Sequence, residues 1–224
     1  MSTPPVSLVI FDCDGVLIDS EPVSRRLLAQ EANRLGWALS PDDAHRFTGL
    51  TWTAIKPAFE RAIGHRLPDD WPGSLQARLV EMMKAGVPEV AGARDMLLAT
   101  AALGLPYRVA SNSSHEEMAQ KFGFTGLAPL VAGRVHSARD VAKGKPAPDV
   151  FLAAAAAEGV APETCLVVED SGPGLTAAYA AGMQVVAFAP DGLVSDLGFS
   201  PHHVIRSLVE LSELLRTAQH RLAA

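Results

Sequence analysis

Six residues near the start of the chain, Val6 to Phe11, form a short apolar run that stops abruptly at Asp12-Cys13-Asp14-Gly15. A run of this length fits a strand covered on both faces, as strands of parallel sheets are. Helices must supply that cover, so the remainder of the chain is expected to alternate helix with strand.

The alternation is present, with one interruption. Pro22 to Leu35 has apolar residues at 23, 27, 28, 32 and 35, a helical stripe ended by Gly36. From there to about Pro88 no strand is expected, and Pro41, Pro57, Pro68 and Pro72 divide the stretch into short helical pieces. Beyond Pro88, Ala93 to Leu103 reads as a helix and Tyr107 to Ala110 as a strand. Ser113 then opens a helix, with Glu116 three residues on as in a capping box. Pro148 to Glu158 is an alanine-rich helix ended by Gly159, Cys165 to Val168 a strand, Leu175 to Ala181 a helix, and Gln184 to Phe188 a strand. Ser207 and Glu210 form a second capping box before a last helix. The pattern predicts an α/β chain: a Rossmann-like, doubly wound parallel sheet core over residues 1–18 and 89–224, with an inserted α-helical cap domain at 19–88.

Composition narrows the function classes. A chain of 224 residues, 48% apolar, has enough material for such a core. Its net charge of -6 lacks the basic footprint that nucleic acid or an anionic membrane surface requires, so neither is an expected partner. No apolar stretch resembles a spanning helix of about 20 residues. Cys13 and Cys165 belong to no CxxC or Cys/His cluster, which argues against a zinc site and a disulfide framework. Sparse cysteines suit a reducing compartment, and the N-terminus has no signal-like segment; a cytoplasmic protein, monomeric or a weak homo-oligomer, is expected.

Ligands of an open parallel sheet bind beyond the carboxyl ends of its strands. Asp12 and Asp14 follow the first strand, Ser111 and Asn112 the second, Glu169 and Asp170 the strand at 165–168, and Lys145 lies in the loop before the alanine-rich helix. Singly these have ordinary explanations: an aspartate after a strand is commonly a turn residue, and most lysines are solvated. Together, four carboxylates on one rim repel one another unless a cation sits among them. Oxygen-only ligands favour a hard ion, and few dedicated carboxylates favour Mg2+ over calcium. Asp12 and Asp14, two residues apart, leave a strand toward the same side, so one can attack while the other handles the leaving group's proton. Phosphoryl transfer needs in-line positioning and neutralised phosphate charge, which magnesium, Lys145 and the Ser111 hydroxyl would supply. The amides of Gly15 and Val16 are candidates to cradle the phosphate.

Asp12-Cys13-Asp14-Gly15-Val16-Leu17-Ile18-Asp19-Ser20-Glu21 resembles the first motif, DxDGVLxDSE, of the haloacid dehalogenase superfamily. Ser111 resembles its second motif, Lys145 in Gly144-Lys145-Pro146 its third, and Glu169-Asp170-Ser171 with Gly174 and Ala177 its fourth. The four occur in order across nearly the whole chain, and the helical stretch after the first motif is similar to the cap of the beta-phosphoglucomutase-like subgroup. The resemblance implies a phosphatase with Asp12 as nucleophile and Asp14 as general acid and base. It implies Ser111, Asn112, Lys145 and Gly15 at the phosphate, and Mg2+ held by Asp12, the Asp14 carbonyl, Asp170 and Glu169. A small phosphorylated metabolite, a sugar or polyol phosphate, is the implied substrate, with Trp52, Thr51 and Lys56 candidates to face it from the cap.

The chain departs from the mutases of that subgroup at two places. Ser24 stands where they have a histidine, and Trp52, in Gly49-Leu50-Thr51-Trp52-Thr53, stands near the place of a cap-loop arginine. A mutase must grip a second phosphate with cationic groups, so these departures favour simple hydrolysis. A phosphomutase and a non-catalytic phosphoacceptor remain the alternatives; Asp14 speaks against the latter, which needs no general acid. Ser171-Gly172-Pro173-Gly174 lacks the full glycine pattern of a dinucleotide loop, and Gly144-Lys145-Pro146 is not a P-loop.

Overall fold

The computed structural model describes residues 4–47, 50–192 and 197–220. The chain forms two compact units, one of Met1–Ile18 with Glu89–Ala224 and one of Asp19–Pro88. In chain order, β1 (Leu8–Phe11) precedes α1 (Glu21–Arg34), α2 (Trp52–Ile63) and α3 (Trp71–Lys84), the α-helices of the second unit among the described residues. The first unit resumes with α4 (Ala93–Ala102), β2 (Tyr107–Ser111), α5 (His115–Thr125), α6 (Ala128–Val131) and β3 (Val135–Ser137). It closes with α7 (Asp149–Glu158), β4 (Cys165–Glu169), α8 (Gly172–Ala180), β5 (Gln184–Phe188), β6 (His203–Ile205) and α9 (Leu208–His220).

Among the described residues six strands form one sheet in the order β3-β2-β1-β4-β5-β6, parallel at every pairing. This is the Rossmann-like doubly wound arrangement, whose strand order reverses between β1 and β4. The β1 residues Leu8, Val9, Ile10 and Phe11 are all fully buried, as a strand sandwiched by helices requires. Leu8 and Ile10 join Cys165, Val167, Val185 and Ala187 in a core under α7 and α8, built from Val150, Phe151, Ala154, Leu175 and Ala178. The alternate residues Val9, Phe11, Val109, Leu166 and Val168 point to the other face.

Strands β3 and β6 were not anticipated from the sequence. Each is three residues long and lies at a sheet edge, where Val135, His136, His203 and Val204 are only partly covered or exposed. So short a stretch gives no periodicity to read. Two helix starts also differ. The capping box of α5 is Ser114 with Glu117, one residue later than expected. Helix α8 begins at Gly172, not Leu175, with Ser171 as N-cap accepting from the Gly174 amide at 3.1 Å. Pro173 is tolerated there because first-turn amides have no helical partner.

In the second unit, Trp37, Phe47, Phe59 and Trp71 pack ring against ring, with centroids 5.0 Å apart for Trp37–Phe59 and Phe59–Trp71. Glu31, on the buried stripe of α1, accepts from Arg34 of its own helix and from Trp71 Nε1 and Arg78 of α3. Those donors, Arg34 first, hold its carboxyl down to about 2 despite burial. No strand occurs in this unit among the described residues.

Candidate active site

The loop from Asp12 to Ile18 turns tightly. Leu17 and Ile18 amides both return to the Cys13 carbonyl, and the Gly15 amide donates to Ile18 O at 2.8 Å. The Gly15 amide, expected at the phosphate, is therefore engaged inside its own loop. The residue matters through its missing side chain: at φ +83°, a Cβ would sit 2.0 Å from Asp170 Oδ2. Glycine lets the loops after β1 and β4 approach this closely.

Asp12, at the end of β1, faces the end of β4. Oxygens of Asp12, Glu169 and Asp170 lie within 4.8 Å of one another. Lys145, 3% exposed, enters between them, bonding Asp12 Oδ1, Glu169 Oε1 at 2.8 Å and the Ala110 carbonyl at 2.9 Å. Burial pushes the Asp12 carboxyl up to about 7 against the pull of Lys145, with Glu169 adding to the rise. Burial also opposes charge on Lys145, but Asp12 and Glu169 outweigh it and raise the ammonium above its ordinary value. Asp170 is pushed well above the usual carboxylate range by desolvation of its carboxyl, then by Glu169 and Asp12. Three close carboxylates with one shared ammonium are short of positive charge, and their all-oxygen donor set fits a hard divalent cation.

Glu169 is the last residue of β4 and is clamped from both sides. Its Oε2 accepts from the Ser171 amide at 2.6 Å and hydroxyl at 3.0 Å, while Oε1 takes Lys145. A Cβ on Gly174 would fall 1.6 Å from Oε1, so the first turn of α8 leaves room for this carboxylate only as glycine.

Ser111 ends β2, and its hydroxyl accepts from the Ser113 amide at 3.0 Å. The Asn112 side chain accepts from the Lys145 amide at 3.0 Å and so braces the loop that delivers the lysine. Gly144 permits this, since a Cβ there would lie 2.8 Å from Asn112 Oδ1.

The Asp14 carboxylate stands apart from the three-carboxylate group. Lys121 of α5 donates to both its oxygens, at 2.8 and 2.7 Å, and Ser113 Oγ lies 3.1 Å from Oδ2. Sequence reasoning passed over Lys121. The signal was there: it lies between Met118 and Phe122 on the buried stripe of its helix, a place lysine rarely takes unpaired. Trp52 lies in the second unit, where its indole N–H donates to Gln76 Oε1 at 2.7 Å; Gly49, named with it above, is outside the described residues. Among the described residues no helix is long and apolar enough to cross a membrane.

The sequence model of the haloacid dehalogenase-like hydrolase family matches residues 6–182. The chain is similar to 6-phosphogluconate phosphatase of Escherichia coli (strain K12), 28% identical over 188 residues, or 83% of this chain and 84% of that protein. It is similar to hexitol phosphatase A of the same organism, 30% identical over 185 residues, covering 80% of this chain and 81% of the other. Among solved structures it resembles a HAD family hydrolase from Deinococcus radiodurans R1 with bound phosphate and sodium. There the TM-score is 0.82, the identity 30%, and the coverage 96% of each chain. Two further curated relatives are longer proteins, of which the matched region takes up 54% and 18%.

Proposed function

The chain belongs to the haloacid dehalogenase-like hydrolase family, and from that premise we propose that it is a magnesium-dependent phosphatase working through an aspartyl-phosphate on Asp12. The observation that carries this reading is the placement of Lys145 between Asp12 and Glu169, with Asp170 beside them, where the strand order reverses. An Asp12 oxygen attacks phosphorus; the ester P–O bond breaks, and its oxygen takes a proton from the Asp14 carboxyl. Lys145 and the Ser111 hydroxyl hold phosphate oxygens during transfer. Asp14, now a carboxylate, then takes a proton from the water that attacks the phosphoenzyme, which frees Asp12 and releases phosphate. Asp12, Glu169, Asp170 and the Asp14 carbonyl would hold magnesium, which neutralises phosphate charge and keeps Asp12 ionised when bound.

The substrate class we infer is a sugar or polyol phosphate, the kind of ester that the names of the two phosphatase relatives describe. Two unpaired, buried cysteines suit a cytoplasmic setting. Phosphate release from a panel of hexose, hexitol and pentose phosphates, with magnesium and with chelator, tests the reading. Magnesium-dependent release supports it. Isomerised product without release would instead favour a phosphomutase, and neither product would leave a non-catalytic module.

A further inference from the structure

Lys121 lies outside the set of residues that surround Asp12 and would hold the metal, yet it too is buried and paired. It is 10% exposed on the inner face of α5, and buried charge persists only where it is paired. Its partners are both oxygens of Asp14 and, at 3.0 Å, the Ser113 hydroxyl. Ser113 is itself fixed, with its amide on Ser111 Oγ and its carbonyl accepting from Ser137 Oγ at 2.7 Å. The Asp14 side chain is 32% exposed and sits on a loop, where a carboxyl without such a partner would sweep several rotamers. Proton transfer needs heavy atoms within about 2.6–3.2 Å, so a wandering carboxyl seldom meets the leaving oxygen.

We propose that Lys121 is a positioning residue for proton transfer: with Ser113 it holds the Asp14 carboxyl on the leaving-group side, away from Lys145 and Asp12. The two lysines divide the work. Lys145 serves the carboxylate that meets phosphorus, and Lys121 serves the one that meets the leaving oxygen. When Asp12 forms its bond to phosphorus, the ester P–O electrons stay with the departing oxygen and the proton comes from Asp14. The carboxylate left behind is then already against the Lys121 ammonium. This inference rests on the phosphatase reading.

The test exploits the leaving group. In p-nitrophenyl phosphate the departing p-nitrophenolate is a stable anion that needs no proton, whereas phenolate from phenyl phosphate is more basic and benefits from one. The ratio of kcat/KM for the two esters, measured with magnesium for the parent and Lys121→Met, isolates the proton transfer from phosphate binding. Since a positioned acid contributes roughly 10²–10⁴-fold, Lys121→Met should lose at least about tenfold more on phenyl phosphate than on p-nitrophenyl phosphate. A lysine that merely ties α5 to the loop after β1 would lower both values equally; equal loss, or none, overturns the proposal. Should Lys121→Met fail to fold by circular dichroism, Ser113→Ala is read by the same ratio and the same criterion. A parent protein that hydrolyses neither ester refutes the phosphatase reading itself. An active parent with equal losses in the variant refutes only the role of Lys121.

Discussion

Replacing Gly174 by alanine sets two effects against each other, and their sizes decide the outcome. Gly174 is the third residue of α8, and alanine in a helix is favoured over glycine by about 1 kcal/mol. On propensity alone the variant should be more stable. The added methyl, however, would sit 1.6 Å from Glu169 Oε1 and 1.9 Å from Cδ, so the carboxylate must leave. Glu169 is 1% exposed and has nowhere to go without breaking its bonds to Lys145 and to the Ser171 amide and hydroxyl. A hydrogen bond to a charged group contributes about 1.5–3 kcal/mol, and losing two outweighs the helix gain. We expect Gly174→Ala to be destabilised by about 2–5 kcal/mol in urea unfolding followed by circular dichroism. The magnesium concentration giving half-maximal phosphate release should rise in parallel. A variant as stable as the parent, with an unchanged magnesium response, would refute the argument that Glu169 is clamped against α8.

Glu31→Gln should cost about 2–3 kcal/mol at neutral pH, since the carboxyl lies at about 2 against 4.5 unfolded and is 1% exposed, while Arg34 and Arg78 are partly screened by solvent. A depressed acid stabilises above its unfolded value, so the difference between parent and variant should shrink as pH falls from about 4.5 toward 2; a difference independent of pH in urea titrations contradicts the network. Asp12 carries the opposite sign: its carboxyl, near 7 folded against 3.8 unfolded, ionises at higher pH in the folded, metal-free protein than in the unfolded chain, so stability falls as pH rises through that window. Magnesium should remove this penalty, so the Tm gained on adding it should grow between about pH 4 and 7, and a pH-independent gain would count against a cation among these carboxylates. Lys145→Met should leave Asp12 and Glu169 without their shared cation and lower kcat by about 10²-fold or more; hydrolysis within twofold of the parent would show that the ammonium is dispensable.

Central strands were readable because burial on both faces writes itself as an apolar run: the run from Val6 to Phe11 contains β1, which starts two residues later at Leu8, while Cys165 to Val168 and Gln184 to Phe188 fall on β4 and β5. Edge strands β3 and β6 escaped because three half-covered residues carry no such mark. The α5 cap shifted because Ser113-Ser114 and Glu116-Glu117 satisfy the capping spacing in two registers. Tertiary contacts select the second, as the Ser113 hydroxyl is taken by Asp14 and Lys121. Asp12, Lys145, Glu169 and Asp170, far apart in sequence, meet because parallel strands end on one side, which alternation alone implies. What sequence could not assign was the partner of each polar side chain. That Asp14 belongs to Lys121, Asn112 to the Lys145 main chain and Glu31 to Arg78 depends on helix rotation and loop path. A lysine and a glutamate on otherwise apolar helical stripes were the available clues.

The covalent step can be observed directly. The protein is mixed with p-nitrophenyl phosphate and magnesium, quenched in acid within one turnover, treated with borohydride and digested for mass spectrometry. An aspartyl-phosphate on Asp12 is reduced to homoserine, so position 12 should carry that mass change in the parent and not in Asp12→Asn. Phosphate release at the parent rate by Asp12→Asn, or the reduced residue at any other position, would contradict the account.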